Sequence, residues 1–425
     1  MFKYTFLFVL MFITCSLQAQ MKYLHCGEVL DMKNNKVQKA MTIVVENDRI
    51  QQISNGYLTG GSDIEVIDLK NKFVMPGFMD MHVHIEHESS PTRYLDRFRQ
   101  NQSDKALGAL KYCKRTLMAG FTTVRDLGGT GVNVSLRDAI NRGEVVGPRI
   151  LTAEKSIATT GGHADPTNGV RDDLKGDPGP KEGVINSVAD AKKAVRQRYK
   201  NGADCIKITA TGGVLSVAKD GQGPQFTVEE VKAVVDAAAD YGYVTAAHAH
   251  GAEGMKRAVL GGIHSIEHGT KMNQEVMDLM IEKGTYYVPT ISAGKFVEEK
   301  AKIPGYYPSI IVPKALEIGP LIQETFSKAY KAGVKIAFGT DAGVSPHGDN
   351  AKEFLFMTQV GMSNYEALAT ATTAASDLMN ISEDYGTLES GKKADIVAMD
   401  KSPLKDIEET TRVTFVMKNG EVFKN

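Results

Sequence analysis

Four histidines and one aspartate are spaced so that they could hold a metal ion. His82 and His84 lie two residues apart in an apolar run, and residues at that spacing on a β-strand point to the same face. His248, His268 and Asp341 each end a further apolar run. Imidazole and carboxylate groups are ligands that suit zinc. One histidine alone is more often an ordinary core or surface residue, but five such side chains at four strand ends predict a metal site.

Lys207 lies among apolar residues near the end of another run, residues 204–210. A buried ammonium group is costly and would repel a metal ion. One interpretation is an ion pair with Asp341 or Asp126. The other is a lysine carbamate, formed with carbon dioxide, whose two oxygens bridge two metals. The five other ligands are more than one catalytic zinc needs, since such a zinc keeps an open position.

These side chains need a scaffold that brings several strand ends together. Between about Met75 and Gly386, strand patterns alternate with helical patterns. Eight strand–helix units in series predict an α/β fold of the (β/α)8 TIM-barrel type, with the active site on the face where the strands end. The predicted strands are residues 78–84, 121–126, 149–154, 204–210, 243–248, 263–268, 286–290 and 335–341.

Between the predicted strands, two helices carry clear end signals. The helix at residues 228–241 begins with a Thr-x-x-Glu capping box, and the helix at residues 188–200 begins after a serine. The longest stretches without a regular pattern are residues 159–183 and 293–319. We expect these two stretches to be active-site loops or lids.

Both chain ends are rich in short strand patterns. Examples are residues 64–68 and residues 413–417, the latter followed by an Asn-Gly pair that is typical of a hairpin turn. We therefore expect residues 21–76 and 386–425 to form one small β-sandwich domain. The barrel would then occupy residues 77–385.

The first twenty residues have the features of an export signal. Lys3 supplies a positive charge, and residues 5–14 form a ten-residue apolar run that is too short to span a bilayer. The alternatives are a lipoprotein signal acylated at Cys15 and a buried N-terminal helix. The sequence predicts that residues 1–20 are a signal peptide and that the protein is exported, either periplasmic or secreted. No other stretch reaches membrane length, so no transmembrane segment is expected.

The overall composition excludes several classes of protein. Hydrophobic residues make up 42% and charged residues 24% of the 425 residues, as in ordinary globular proteins. Lys and Arg number 50 against 51 Asp and Glu, so no basic field is available for nucleic acid. Cys26, Cys113 and Cys205 lack CxxC spacing and are expected to be small buried residues. A homo-oligomer is compatible with a barrel of this size.

Longer motifs surround the candidate ligands, namely residues 74–84, 338–343 and 386–397. Together with Lys207, His248 and His268, they resemble the amidohydrolase superfamily. Four further segments look like its branch of imidazolonepropionase-related dipeptidases, which act on Xaa-Pro or Xaa-Arg/Lys substrates. They are residues 160–163, 211–216, 247–251 and 265–270. Hydrolases of ochratoxin-type aryl amides are also similar to this branch, so the resemblance gives the reaction class more firmly than the substrate.

The resemblance implies two Zn²⁺ ions per chain, held by a shared set of ligands: His82, His84 and Asp341 for the first ion, His248 and His268 for the second, and carboxylated Lys207 as the bridge. A hydroxide shared by both ions would attack the scissile carbonyl. Asp341 would be the catalytic residue that takes the hydroxide proton and passes it to the leaving amine. One-metal deaminases do not need the lysine, so its presence favours peptide or amide hydrolysis.

Two further histidines are candidates for substrate binding. His250 shares a strand face with His248, and either a substrate contact or a structural role is open. His163 lies in a Gly-rich loop, and the resemblance implies that it contacts the substrate. Glu86 and His87 are interpreted as surface residues, while His347 could contact substrate or solvent. No residue can be assigned from the sequence to the carboxylate of a dipeptide.

The sequence therefore predicts an exported metal-dependent amidohydrolase that cleaves amide or peptide C–N bonds in small molecules. The expected substrates are dipeptides, of Xaa-Pro or Xaa-Arg/Lys type, or N-acyl amino acids. The first alternative is a mononuclear cyclic-amide hydrolase or deaminase on the same barrel, with His268 catalytic. The second is a non-catalytic binding or assembly protein, which would be expected to have lost ligands, and none is lost here.

Overall fold

The computed structural model describes residues 21–218 and 221–425. The predicted signal peptide, with Cys15, lies outside the described residues. The strands in chain order are β1 Met21–Asp31, β2 Lys36–Glu46, β3 Arg49–Asn55, β4 Glu65–Pro76, β5 Phe78–Val83, β6 Phe121–Asp126, β7 Arg149–Thr152, β8 Cys205–Thr209, β9 Val244–Ala249, β10 Ser265–His268, β11 Tyr286–Val288, β12 Ile396–Met399, β13 Phe415–Lys418 and β14 Glu421–Lys424.

The helices between these strands vary from one turn to six. In chain order they are α1 Arg93–Arg99, α2 Gln102–Met118, α3 Val132–Asn141, α4 Asp172–Lys175, α5 Val188–Lys200, α6 Val228–Ala239, α7 Ala252–Leu260, α8 Gln274–Lys283, α9 Ile291–Ala301, α10 Val312–Ala332, α11 Lys352–Thr358, α12 Asn364–Thr370 and α13 Thr373–Leu378. A short 3₁₀ helix covers Ile407–Arg412.

The two chain ends form one small β domain, as predicted. Its strands hydrogen-bond in a single seven-stranded sheet of order β14-β13-β12-β4-β1-β2-β3. The last strands enter the sheet because β12 pairs antiparallel with β4, with Ile396 opposite Pro76. The predicted Asn-Gly hairpin joins β13 to β14, and Asn419 and Gly420 have φ values of +49° and +73°. Asn and Gly accept this left-handed conformation more readily than other residues.

The middle of the chain folds as the predicted barrel. Strands β5, β6 and β7 pair in parallel, and so do β8, β9, β10 and β11. The two sets meet where Ile157 N donates to Lys207 O at 2.8 Å and Thr209 N donates to Ile157 O at 2.9 Å. Seven of the eight predicted strands are therefore present; β6 has the predicted bounds, and the other six differ slightly from them.

The eighth predicted strand, residues 335–341, closes the barrel without forming a regular strand. Met81 N donates to Phe338 O at 2.8 Å on one side, and Ala337 N donates to Tyr287 O at 3.0 Å on the other. The pairing is interrupted because Thr340 N donates to the carboxylate of Asp80 at 3.1 Å instead of to a strand carbonyl. A side-chain acceptor thus replaces a main-chain partner at the end of this segment.

The helix predictions were right at two places and wrong at a third. Helix α5 has the predicted bounds, and α6 starts at the predicted capping box but ends at Ala239, two residues early. The stretch 293–319, predicted to be irregular, is mostly helical, since it falls in α9 and α10. Pro320 inside α10 obscures the helical pattern, whereas buried residues on α9 and α10 pack the two helices against each other.

The remaining composition-based expectations concern membranes and cysteines. Within residues 21–218 and 221–425, no helix is long and apolar enough to cross a membrane. Cys26, Cys113 and Cys205 are free and buried, as predicted. Burial raises the pKa of each thiol to about 12, so these side chains are inert small core residues.

Candidate functional site

A cavity of about 590 Å³ opens at the face of the barrel where the strands end. The structure brings all of the predicted site residues to this cavity: His82, His84, His163, Lys207, His248, His250, His268 and Asp341. They come from β5, β8, β9, β10, the segment after residue 335 and the long loop after β7. A volume of this size accommodates a ligand as large as a dipeptide.

On one side of the cavity floor, Asp341 lies close to two histidines. Its Oδ1 is 3.7 Å from Nε2 of His82 and 3.5 Å from Nε2 of His84. The backbone of Asp341 has φ of +56°, and its N–H donates to His82 O at 2.7 Å. Among the described residues, Oδ1 of Asp341 is buried and has no hydrogen-bond partner. A buried carboxylate oxygen without a donor is costly, and a cation beside the two imidazoles would satisfy it.

On the other side of the floor, His248 and His268 continue the row of imidazoles. The ring centroids of His248 and His268 are 4.6 Å apart, and those of His268 and His82 are 4.9 Å apart. Ligand atoms of His82, His268 and Asp341 all lie within 4.8 Å of one another. The five side chains therefore form one continuous cluster.

Hydrogen bonds orient the imidazoles of this cluster. Nδ1 of His84 lies 2.6 Å from Gly128 O, and Nε2 of His248 lies 3.2 Å from Gly212 O. Because a carbonyl only accepts, those nitrogens carry the protons, and the other ring nitrogens are unprotonated. Burial also lowers the pKa of His84 to about 3, and lowers the pKa values of His82, His248 and His268 well below the usual value. Neutral imidazole is the form that binds metal.

Lys207 enters the same floor from β8 with only 3% of its surface exposed. In the described part of the chain its ammonium group has no carboxylate within 4.0 Å, so neither the proposed pair with Asp341 nor that with Asp126 is formed. Asp126 instead accepts from Ile85 N at 2.8 Å and Asn133 Nδ2 at 2.7 Å. Burial lowers the pKa of Lys207. A neutral amine is the form that can react with carbon dioxide.

A buried ion pair beneath the cluster was missed in the sequence. Glu267 Oε1 accepts from Arg125 Nη2 at 2.9 Å, and both side chains have no exposed surface. Glu267 Oε2 lies 2.9 Å from Nδ1 of His82, which therefore carries the proton and leaves Nε2 to face Asp341. The sequence did offer a signal for this pair, because Arg125 and Glu267 are charged residues within the predicted strands 121–126 and 263–268.

A second carboxylate, Asp80, holds the floor from below and was also missed. It has no exposed surface and accepts from Thr340 Oγ1 at 2.6 Å, from Asn350 Nδ2 at 2.7 Å and from His82 N at 3.1 Å. Asp80 thereby joins β5 to the segment that carries Asp341. The sequence signal for Asp80 was its position two residues before His82, because residues at that spacing on a strand share a face.

The predicted substrate histidines lie directly above the floor. His163 stacks on His248 with ring centroids 4.3 Å apart, and its buried Nδ1 has no partner among the described residues. His250 stacks on His268 at 5.1 Å, and its Nδ1 lies 2.9 Å from Thr270 Oγ1. Both rings line the cavity.

The surface interpretation of the residues after His84 is wrong. His87 lines the cavity with its ring centroid 5.5 Å from that of His84. Glu86 is 5% exposed and accepts from Asn133 N at 2.8 Å, which fixes the start of α3. His347 is 3% exposed, does not line the cavity, and lies 3.0 Å from His87 O through Nε2. It therefore supports the loop instead of contacting substrate or solvent.

Above the floor, the cavity has two unlike sides. We use the name apolar wall for five buried residues on α9, α10 and two loops: Val214, Ala293, Val297, Ile318 and Val344. We use the name charged rim for the residues that follow β5 and continue into α1 and α2: Glu88, Arg93, Asp96, Arg97, Asp104, Lys105 and Lys111. The two sides can bind chemically different parts of one substrate.

Comparison with known proteins places this geometry among hydrolases. A family model described as "Amidohydrolase family" matches residues 73–423. A solved structure described as a Xaa-Pro dipeptidase with bound methionine in the active site is 51% identical, with a TM-score of 0.93, covering 96% of this chain and 100% of that one. Ochratoxinase from Aspergillus niger is 32% identical over 378 residues, 83% of this chain and 75% of its own. Imidazolonepropionase from Fusobacterium nucleatum is 25% identical over 395 residues, 84% of each chain.

Proposed function

The chain belongs to the amidohydrolase family, and from this premise we propose that it is an exported two-zinc enzyme that hydrolyses dipeptides or N-acyl amino acids. It is a hydrolase of amide or peptide C–N bonds with a small-molecule substrate. The observation that carries the metal proposal is the buried, unpartnered Oδ1 of Asp341 among neutral imidazoles. The second ion is proposed because His248 and His268 continue the same cluster.

The donor set fits two Zn²⁺ ions, and each residue has a defined place in it: His82, His84 and Asp341 would hold one ion, His248 and His268 the other, and Lys207, as its carbamate, would join them. Two histidines beside one carboxylate oxygen are ligands that zinc prefers. Bound zinc would supply Lewis-acid polarisation of the scissile carbonyl and a lowered pKa of the attacking water.

The protein's own groups then move the protons. Burial raises the pKa of Asp341, so its carboxyl group holds a proton more readily than an exposed aspartate does. We propose that Asp341 accepts a proton from the attacking water at Oδ2, which leaves Oδ1 for the cation, and donates it to the leaving nitrogen. The positive φ of Asp341 and the hydrogen bond from its N–H to His82 O keep this carboxyl group in place at the floor.

His163 and His250 would hold the substrate. His163 lines the cavity, and its ring stacks on the ring of His248, one of the proposed metal ligands. His250 lies on the other side of His248, at 4.7 Å between ring centroids. We propose that His163 donates a hydrogen bond to the substrate carbonyl, while His250 orients the group beyond it.

The dipeptide assignment is supported by the relative described as a Xaa-Pro dipeptidase with methionine in its active site. Methionine has the two features that a released amino acid brings to a site, a free carboxylate and a side chain. Xaa-Pro dipeptides are therefore the first substrates to test, followed by Xaa-Arg, Xaa-Lys and N-acyl amino acids.

The metal proposal is tested by the zinc content of the mature protein, purified without chelator and supplied with zinc and bicarbonate. We expect about two zinc ions per chain, loss of activity after dialysis against a chelator, and recovery when zinc and bicarbonate are both returned. About one zinc per chain with full activity would overturn the two-metal site. It would favour the alternative of a mononuclear cyclic-amide hydrolase or deaminase.

Export is tested separately from chemistry. We propose that residues 1–20 direct the chain out of the cytoplasm to the periplasm or the medium. Expression of the full chain, followed by cell fractionation and N-terminal sequencing, should give a mature protein that begins near residue 21. Retention of the full chain in the cytoplasm would contradict this proposal, and acylation at Cys15 would replace it with membrane anchoring.

A further inference from the structure

Two polar atoms that belong to residues lining the cavity are buried and have no hydrogen-bond partner among the described residues. They are Nε2 of His87 and Nη1 of Arg93. His87 lies in the connection from β5 to α1, and Arg93 is the first residue of α1. Buried polar atoms without partners are rare, and two in one cavity indicate a ligand that completes them.

Both residues line the cavity beside the metal-ligand cluster. The ring centroid of His87 is 5.5 Å from that of His84, and the positive charge of Arg93 helps to lower the pKa of His87. The two groups therefore lie near each other at the edge of the floor.

Arg93 is held in position but has no counter-charge. In the described part of the chain its guanidinium makes no ion pair within 4.0 Å, although acidic residues lie nearby. Glu88 instead is 3.6 Å from Arg115 and accepts from His347 N at 3.0 Å, and Asp96 accepts from Thr92 Oγ1 at 3.0 Å. The neighbouring Tyr94 donates from its hydroxyl group to Leu215 O at 2.9 Å, which ties α1 to the opposite loop.

We propose that Arg93, together with His87, binds the free α-carboxylate of the substrate. A guanidinium forms paired, parallel hydrogen bonds with a carboxylate, and an imidazole N–H can donate to a remaining lone pair. This inference rests on the proposed function, because it assigns the carboxylate of a dipeptide or N-acyl amino acid. It predicts an enzyme that requires a free carboxyl terminus on the residue it releases.

Substrate pairs that differ only in this charge test the inference. We expect wild-type kcat/KM for Ala-Pro to exceed that for Ala-prolinamide by about 100-fold, because the neutral amide leaves Arg93 unpaired. In Arg93→Met the two values should come within about 3-fold of each other, through a rise in KM for Ala-Pro. Arg93→Lys, which keeps the charge, should recover part of the preference.

The matched control is Arg99→Met, at the exposed end of the same short helix and outside the cavity lining. It should keep the wild-type preference within about 2-fold. An Arg93→Met variant that retains the full preference would overturn the inference, as would an equal loss in Arg99→Met. Wild-type enzyme that cleaves both substrates equally well would overturn this inference alone, whereas failure to cleave any Xaa-Pro, Xaa-Arg, Xaa-Lys or N-acyl amino acid substrate would overturn the proposed function as well.

A measurement on the wild-type enzyme tests the inference even if Arg93→Met does not fold. L-proline should inhibit wild-type protein at a concentration about 10-fold or more below that needed for L-prolinamide, because only the former carries the carboxylate. Equal inhibition by the two compounds would contradict the carboxylate site even if Arg93→Met failed to fold.

Discussion

The floor and the upper sides of the cavity are built in different ways. The floor consists of residues at the ends of barrel strands, and buried groups such as Asp80 and Glu267 hold them from below. The apolar wall and the charged rim belong to helices and loops above the barrel. The difference indicates that residues at the strand ends determine the reaction, whereas the apolar wall and the charged rim determine the choice of substrate. The helices and loops of these two sides can change without disturbing the barrel strands.

The two regions also differ in how each residue is anchored. His82 is fixed through Glu267 to Arg125, three side chains in a row with almost no exposed surface. The upper sides are held by individual side chains that connect neighbouring helices and loops. One is Lys314, whose Nζ donates to Ser216 O at 2.9 Å and Ala218 O at 2.8 Å. Changes in the floor should therefore have larger consequences than changes above it.

The largest effect is expected for Lys207→Ala, which removes the proposed bridging group. Zinc content should fall from about two to below one per chain, and kcat/KM should fall by about 1,000-fold or more, because each metal loses a shared ligand. Metal analysis and kinetics with Ala-Pro measure both. Lys193→Ala, an exposed lysine on α5, is the matched control. Full activity of Lys207→Ala without an added carboxylate would refute the carbamate.

The next largest effect is expected for Glu267→Gln. The amide leaves Arg125 without a counter-charge, so the free energy of unfolding should fall by about 3–5 kcal/mol. Zinc affinity should fall about 10- to 100-fold, because His82 loses the carboxylate that orients it. Denaturant unfolding and zinc titration measure the two quantities.

A double variant separates these two roles of Glu267. Glu267→Gln with Arg125→Gln removes both charges and should restore part of the stability while zinc affinity stays low. If zinc affinity recovers together with stability, Glu267 acts through packing and charge balance alone and does not orient His82.

A smaller effect is expected at the apolar wall. Val297→Asp places a carboxylate on the wall, and should shift the ratio of kcat/KM for Xaa-Arg over Xaa-Pro substrates about 10-fold towards Xaa-Arg. Zinc content should not change, since Val297 lies on α9 and not on a strand end. Val146→Asp, at an exposed valine, is the control. An unchanged ratio would mean that substrates do not touch this wall.

The smallest effect is expected for Glu353→Gln, because Glu353 affects the upper sides of the cavity only by fixing the position of α9. Glu353 is buried and accepts from Ile291 N and Ser292 N, both at 2.7 Å, at the start of α9. One amide oxygen cannot replace two carboxylate oxygens, so the free energy of unfolding should fall by about 1–3 kcal/mol. We expect kcat/KM to stay within about 2-fold. Glu299→Gln, on the exposed side of α9, should change neither quantity.

The sequence predicted the floor well because strand ends are marked locally. An apolar run that stops at His84, His248 or His268 marks the end of a strand, and in a barrel the strand ends lie at the active-site face. The alternation of strand and helix patterns predicts the barrel itself. Lys207 was recognised for the same reason, since a charged residue inside an apolar run stands out.

The rest required three-dimensional information. Arg125 and Glu267 are far apart in the chain, and only barrel closure brings their side chains to 2.9 Å. The carboxylate partner Arg93 lies on a short helix without buried residues, where neither periodicity nor a motif marks it. Helix α10 was missed because Pro320 breaks the sequence signal while tertiary packing still stabilises the helix.

The junction between β4 and β5 has a consequence for the order of folding. Only Gly77 separates the last strand of the N-terminal segment from the strand that carries His82, and β4 must also pair with β12 near the end of the chain. Until the last residues are synthesised, β4 has an open edge and the small sheet is incomplete. Such long-range pairing slows folding and leaves unpaired edges exposed to aggregation. A chain truncated before Ile396 should therefore fail to fold, although every residue of the cavity floor would be present.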